Sequence, residues 1–161
     1  MTGLFKNMMK KRKNIIGIIL LLFWMILIFV MSNQPGDVSQ GQSDIVINFF
    51  NFIGIELNEY FGELASLIIR KGAHFTEYMI LFFLFRNVLK GYTNKNLNIY
   101  SVLFVFLYAI SDEVHQYFVP GREMRILDVI IDTSGAIFGS LIVIIYKFIK
   151  ENFNNNYKNK K

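Results

Sequence analysis

Four apolar runs, bracketed by polar segments of alternating charge, restrict this chain more than any other feature. Five Lys or Arg precede the first run, three lie between Arg86 and Lys95, and five follow from Lys147 onward. Only Arg70, Lys71, Arg122 and Arg125 occupy the intervening segments, which hold 11 of the 12 acidic residues. Cytoplasmic segments of membrane proteins carry the excess of Lys and Arg. The pattern predicts a multi-pass protein of the cell membrane with both ends cytoplasmic, and four crossings keep that parity consistent.

Composition agrees with that reading. Apolar residues make up 53% of the chain and the mean hydropathy is +0.39, above an ordinary soluble domain. With 161 residues and no internal repeat, a single domain over 1–161 is expected. A net charge of +5 would suit nucleic acid, but these basic residues sit at the ends of apolar runs, where anionic headgroups attract them. No nucleic-acid partner is expected. The absence of Cys excludes a disulfide, a thiolate metal site and a Cys nucleophile.

The patterning predicts an all-α, four-helix transmembrane bundle with spans over about 14–31, 59–89, 97–117 and 127–148, plus an outer surface segment over 32–58. The first run, Ile15 to Met31, is about 26 Å long as a helix, enough to cross a bilayer core. A cleavable signal peptide would have a shorter apolar core and a small-x-small site, which Met31-Ser32-Asn33-Gln34-Pro35 lacks. An uncleaved helix is expected. Ser32 to Ser43 reads as a loop. Asp44 to Leu57 has Ile45, Phe49, Phe50 and Ile53 at helical spacing, so it reads as an amphipathic surface helix, either a lid or a substrate wall. Val119-Pro120-Gly121-Arg122-Glu123 reads as a turn. The segment from Lys150 onward reads as a frayed tail.

The polar residues of the last three runs fall at one level. Lys71, His74 and Tyr78 share one helix face, with Glu77 three residues beyond His74. Asp112 and Glu113 precede Gln116 on the third run, and Asp128 and Asp132 are one turn apart on the fourth. An Asp in mid-membrane costs about 2.5–3.5 kcal/mol. Acids at one depth must therefore face each other, a base or a wet cavity. His74, Glu77, Asp112 and Glu113 are the candidate acid–base residues; Lys71, Tyr78, Gln116, Arg122, Asp128 and Asp132 are the candidate ligand-binding ones. Each also has a structural role open to it. His74 with Glu77 makes a packing pair, Tyr78 an interfacial anchor, and Asp112 with Glu113 solvated helix-end carboxylates. Arg122 and Arg125 suit phospholipid phosphates, and His115 suits water. Gly135 and Gly139 have the spacing that lets helices approach closely.

These motifs carry a family resemblance. Arg70-Lys71-Gly72-Ala73-His74-Phe75-Thr76-Glu77-Tyr78, Ser111-Asp112-Glu113-Val114-His115-Gln116, Pro120-Gly121-Arg122, and Asp128-Val129-Ile130-Ile131-Asp132 with Gly135 and Gly139 together resemble the VanZ-like family of small bacterial membrane proteins. With Ser32-Asn33-Gln34-Pro35-Gly36, the resemblance runs from about Ile15 to Ile145. It implies a four-helix cell-envelope protein and a link to susceptibility to glycopeptide antibiotics of the teicoplanin type. It implies shared polar positions without assigned roles.

Three functions are compatible with these residues. The first is an outward-facing pocket for membrane lipids, a lipid-linked envelope precursor or a lipoglycopeptide, with Arg122 and Arg125 clamping an anion. The second is an enzyme acting on lipid headgroups, with His74 as base tuned by Glu77 or Asp112. A metal variant would use His74 with Glu77, Asp112 or Asp128, but one His among carboxylates is a poor metal signature. No metal or cofactor is assigned. The third is transport through buried carboxylates, which the dry inner halves of the runs disfavour unless the protein oligomerises.

Overall fold

The computed structural model describes the backbone of residues 2–158 and the side chains of residues 14–155. Among these residues the chain is all-α: α1 Thr2–Ser32, α2 Gly36–Phe52, α3 Leu57–Phe61, α4 Leu64–Leu89, α5 Leu97–Gln116 and α6 Ile126–Lys158.

Several boundaries differ from those expected. Helix α1 starts at Thr2 rather than near residue 14, because Lys and Arg are good helix formers and no Pro interrupts. The side chains of Lys10 to Lys13 lie outside the described residues. Most of the expected loop before Ser43 is helical, with α2 starting directly after Pro35. Its Ser39 and Ser43 are buried, so tertiary packing overrides their weak helix propensity. The expected continuous helix over 59–89 is broken at Gly62, which takes a positive φ of 55° that other residues rarely adopt. The expected frayed tail is helical through Lys158, since no Gly or Pro follows Gly139 to end it; residues 159–161 lie outside the described residues.

Among the described residues three helices contain a stretch long and apolar enough to cross a membrane: Asn14–Ser32, Leu97–Gln116 and Ile126–Asn155. Helix α4 falls outside that group because its first half carries Arg70, Lys71, His74 and Glu77, whereas Met79 to Phe85 is wholly apolar. The outward faces of the long helices stay apolar, as at Phe23, Ile26 and Ile145, each more than half exposed. Such a continuous apolar exterior marks a surface that lipid would cover.

Helix α4 packs against α6, α5 and α1. Ile28, Tyr78, Leu81, Phe82, Val105, Ala109 and Ala136 form the core between them. Helices α4 and α6 run parallel and nearly touch. A Cβ on Gly135 would overlap the Phe75 carbonyl oxygen, and one on Gly139 would come within 2.8 Å of the Phe82 ring. The Gly-x-x-x-Gly spacing therefore serves helix contact. Helices α1 and α5 run the opposite way, so the C-terminal ends of α1 and α5 meet the N-terminal ends of α4 and α6. That shared end is where the buried acidic residues and Arg70, Lys71, His74 and Arg122 gather.

Candidate functional site

Two polar clusters occupy the charged end. In the first, Asp112 of α5 is 3% exposed and its Oδ2 accepts three hydrogen bonds: from Ser32 Oγ at 2.7 Å, Tyr78 OH at 3.1 Å and Gln116 Nε2 at 3.1 Å. Three helices thus converge on one carboxylate oxygen. Gln116 Nε2 also reaches Ser32 Oγ at 3.3 Å. Tyr78 is fully buried here rather than being an interfacial anchor. Its ring fills core space while its hydroxyl finds a buried acceptor, as a buried Tyr requires.

The second cluster joins α4 and α6. Lys71 pairs with Asp128, and one turn along each helix His74 Nδ1 faces Asp132 Oδ1 at 3.5 Å. Asp132 is 1% exposed. That separation is too long for a formed hydrogen bond, and both atoms lack any other partner. His74 therefore pairs across helices with Asp132, not along its own helix with Glu77. The Glu77 side chain is only partly buried, while its backbone carbonyl accepts the Trp24 indole N–H at 3.0 Å. Glu113 is buried too. Its Oε1 accepts the backbone N–H of Arg125 ahead of α6, and its Oε2 is unpartnered.

The segment between α5 and α6 closes the site. Arg122 N donates to Val119 O at 3.1 Å, with Pro120 and a positive-φ Gly121 between them, as a type II turn demands. This turn presses on the start of α2: a Cβ on Gly36 would overlap the Gly121 carbonyl oxygen. Arg122 Nε then donates to Gln34 O at 3.0 Å, and a terminal nitrogen approaches Gln116 Oε1 at 3.5 Å. Burial, with Arg70 nearby as a like charge, draws the Arg122 guanidinium below the ordinary arginine value, yet an arginine stays a cation in proteins. Arg125 pairs with Glu123 at 2.8 Å. His115 is partly buried rather than free in water, with its Nε2 3.0 Å from Asn33 Oδ1 and its ring 4.4 Å from that of Phe29.

Two cavities adjoin at this end. One, of about 340 Å³, lies between α2 and α4, walled by Met31, Ile45, Val46, Ile69 and Ala73 with a polar margin of Ser and Gln. The other, of about 350 Å³, lies between α4, the turn and α6 and is lined by charged side chains and Gln116. Arg70, His74 and Arg122 line both. Of the expected site residues, His74, Glu77, Gln116, Arg122 and Asp128 line a cavity. Lys71, Asp132 and Asp112 stand behind Asp128, His74 and Gln116 as their partners, while Tyr78 bonds Asp112 and Glu113 bonds the Arg125 backbone. Arg70 was not among the expected site residues, although it is four residues before His74 and so shares its helix face. Ser39 and Ser43 also line the first cavity; only the helical register of α2, hidden by its Gly and Ser content, could have revealed them. Among the described residues no group of three or more His, Asp or Glu could hold a metal ion.

The VanZ/LLP1 family model matches residues 17–147, so the chain belongs to that family. No curated protein and no solved structure matches it.

Proposed function

We propose that this member of the VanZ/LLP1 family is a cell-envelope protein whose α1, α4, α5 and α6 cross the membrane as a four-helix bundle. In this reading both ends of the chain are cytoplasmic, α2 lies on the outer surface, and the paired cavities open outward to an amphiphilic or lipid-linked ligand. The observation that carries it is the junction of an apolar and a charged cavity at Arg70, His74 and Arg122. A single cavity would suit a polar or an apolar molecule; two of opposite character suit one that has both parts. The Lys and Arg distribution supports the orientation. The polar first half of α4 is compatible with a crossing because its charged side chains turn toward α6 and the cavities, as membrane-buried charges require. A lipoglycopeptide such as teicoplanin is an amphiphile of this kind, so an effect on glycopeptide susceptibility belongs to the same proposal.

The Cys-free chain allows a direct test. In intact cells a membrane-impermeant maleimide should label Glu123→Cys and leave Lys95→Cys unlabelled; the reverse pattern would overturn the orientation. A second reading, chemistry on a lipid headgroup, is favoured by the His74–Asp132 pair. Asp132 faces Nδ1 and His74 lines both cavities, so Nε2 is the nitrogen left to act as a general base. Headgroup release by purified protein should then vanish in His74→Ala, and turnover equal to wild type would end that reading.

A further inference from the structure

The charges around the second cavity do not balance one another evenly. Lys71 is matched by Asp128, Arg125 by Glu123, and His74 faces Asp132. Among the described residues neither Arg70 nor Arg122 has a carboxylate within ion-pair distance. Arg122 donates its Nε hydrogen to the Gln34 carbonyl oxygen and brings a terminal nitrogen to 3.5 Å from Gln116 Oε1, both neutral groups. Both guanidiniums nevertheless line the same two cavities, one from α4 and one from the turn before α6. After burial, the Arg70 charge is part of what lowers the Arg122 value, against the opposite pull of the Asp112, Glu113 and Asp128 carboxylates beyond ion-pair distance. Two unpaired like charges at one recess are unfavourable until an anion lies between them.

Shape and chemistry then narrow the anion. A planar carboxylate offers its two oxygens to one guanidinium fork, whereas tetrahedral phosphate oxygens can meet forks arriving from two directions. Glu77 lines only the apolar cavity, whereas the carboxylates of the charged cavity, Asp128 and Glu123, are already paired with Lys71 and Arg125, which leaves the Arg70 and Arg122 charges for an anion there. The apolar cavity opens beside Ile45, which is 70% exposed, and its volume far exceeds the needs of a free phosphate. We propose that the recess binds a lipid with an anionic phosphate headgroup, its phosphate held between Arg70 and Arg122 and its hydrocarbon chain lying between α2 and α4. This names the ligand class of the amphiphile reading above and rests on it.

The test uses the full chain, delipidated in an uncharged detergent. Binding is measured by native mass spectrometry for dioleoyl phosphatidic acid, for diolein, which has the same chains without phosphate, and for glycerol 3-phosphate, which has the phosphate without chains. Phosphatidic acid should bind about ten-fold or more tightly than either, the scale of a charge-assisted hydrogen-bond pair. The double variant Arg70→Gln/Arg122→Gln should lose that advantage while still binding diolein as wild type does, which also shows that it folds. Arg70→Lys/Arg122→Lys should restore part of it. Equal binding of phosphatidic acid and diolein by wild type, or an advantage that persists in the Gln variant, overturns the phosphate assignment while leaving the amphiphile reading standing. Glycerol 3-phosphate binding as tightly as phosphatidic acid overturns the lipid assignment in favour of a free-anion site. Binding of none of the three overturns both readings.

Discussion

Asp112 and Asp132 are almost equally buried, at 3% and 1% exposure, but their surroundings differ in kind. Asp112 is met by three neutral donors from α1, α4 and α5 on one oxygen, and it lines neither cavity. Asp132 meets only His74, at 3.5 Å, and that His lines both. A buried carboxylate that accepts three bonds on one oxygen, as Asp112 does while its other oxygen is unpartnered, fixes the positions of those donors. An underbonded one beside a cavity retains the capacity to change partners when a ligand or proton arrives. The same residue type therefore serves architecture on one side of α4 and supports the site on the other.

The largest effect expected from this contrast is on stability. Asp112→Leu leaves the Tyr78 and Ser32 hydroxyls and the Gln116 amide buried without their common acceptor. Gln116 Nε2 keeps its contact with Ser32 Oγ, so two hydroxyls are stranded, and at roughly 1–3 kcal/mol for each the loss should reach about 2 kcal/mol or more. Asp132→Leu removes one long contact and strands only one ring nitrogen, so about 1 kcal/mol or less is expected. Thermal unfolding in detergent, followed through the single Trp24, compares them directly. Equal losses would mean that the two carboxylates do the same structural work, and the contrast would fail.

A smaller effect separates the two faces of α4 by geometry rather than charge. Gly135→Val places side-chain atoms where the Phe75 carbonyl stands, so α4 and α6 must separate at a cost of about 1–3 kcal/mol. Separation widens the His74–Asp132 approach and leaves the Asp112 cluster intact, because none of its bonds involves α6. Ligand binding should weaken more than unfolding temperature falls. Gly41→Val, with open space around its Cβ position, is the control that should leave binding unchanged. A Gly135→Val protein that binds as wild type does would show that the α4–α6 spacing does not set the site.

Much of this arrangement was legible from residue spacing, and the limits are instructive. Lys71 with His74 and Asp128 with Asp132 are each one turn apart on a helix face, so their convergence followed from helix direction alone. Which acid meets which base did not follow, because local spacing offered Glu77 to His74 and only the close α4–α6 approach offers Asp132. The turn at Val119 to Arg122 was written in Pro120 and Gly121, whose backbone preferences are strong. The start of α2 was not, since Gly36, Ser39, Gly41 and Ser43 disfavour a helix that burial of the two Ser then stabilises. Arg70 escaped notice because its significance is a missing partner, and a missing partner is a property of the whole packed end.

The smallest effect concerns the ion pair that flanks the His74–Asp132 contact. Lys71 and Asp128 retain 20% and 19% side-chain exposure, so water screens their attraction and side-chain ordering opposes it. Pairs of this type couple by about 0.2–1 kcal/mol. In a double-mutant cycle of Lys71→Met and Asp128→Asn, the coupling in unfolding free energy should fall in that range and shrink as salt is raised. The cycle also probes the balance of charge at the second cavity. Lys71→Met frees the Asp128 carboxylate, which lines the cavity with Arg70 and Arg122 and can then pair with one of them. Anionic ligand binding should weaken in Lys71→Met and recover in the double variant, where the freed carboxylate is gone. Recovery would show that the pair's main effect is to keep Asp128 away from the two arginines, with little share in holding α4 to α6. A coupling above about 2 kcal/mol without any change in ligand binding would move Lys71 and Asp128 to the architectural side of the comparison, beside Asp112.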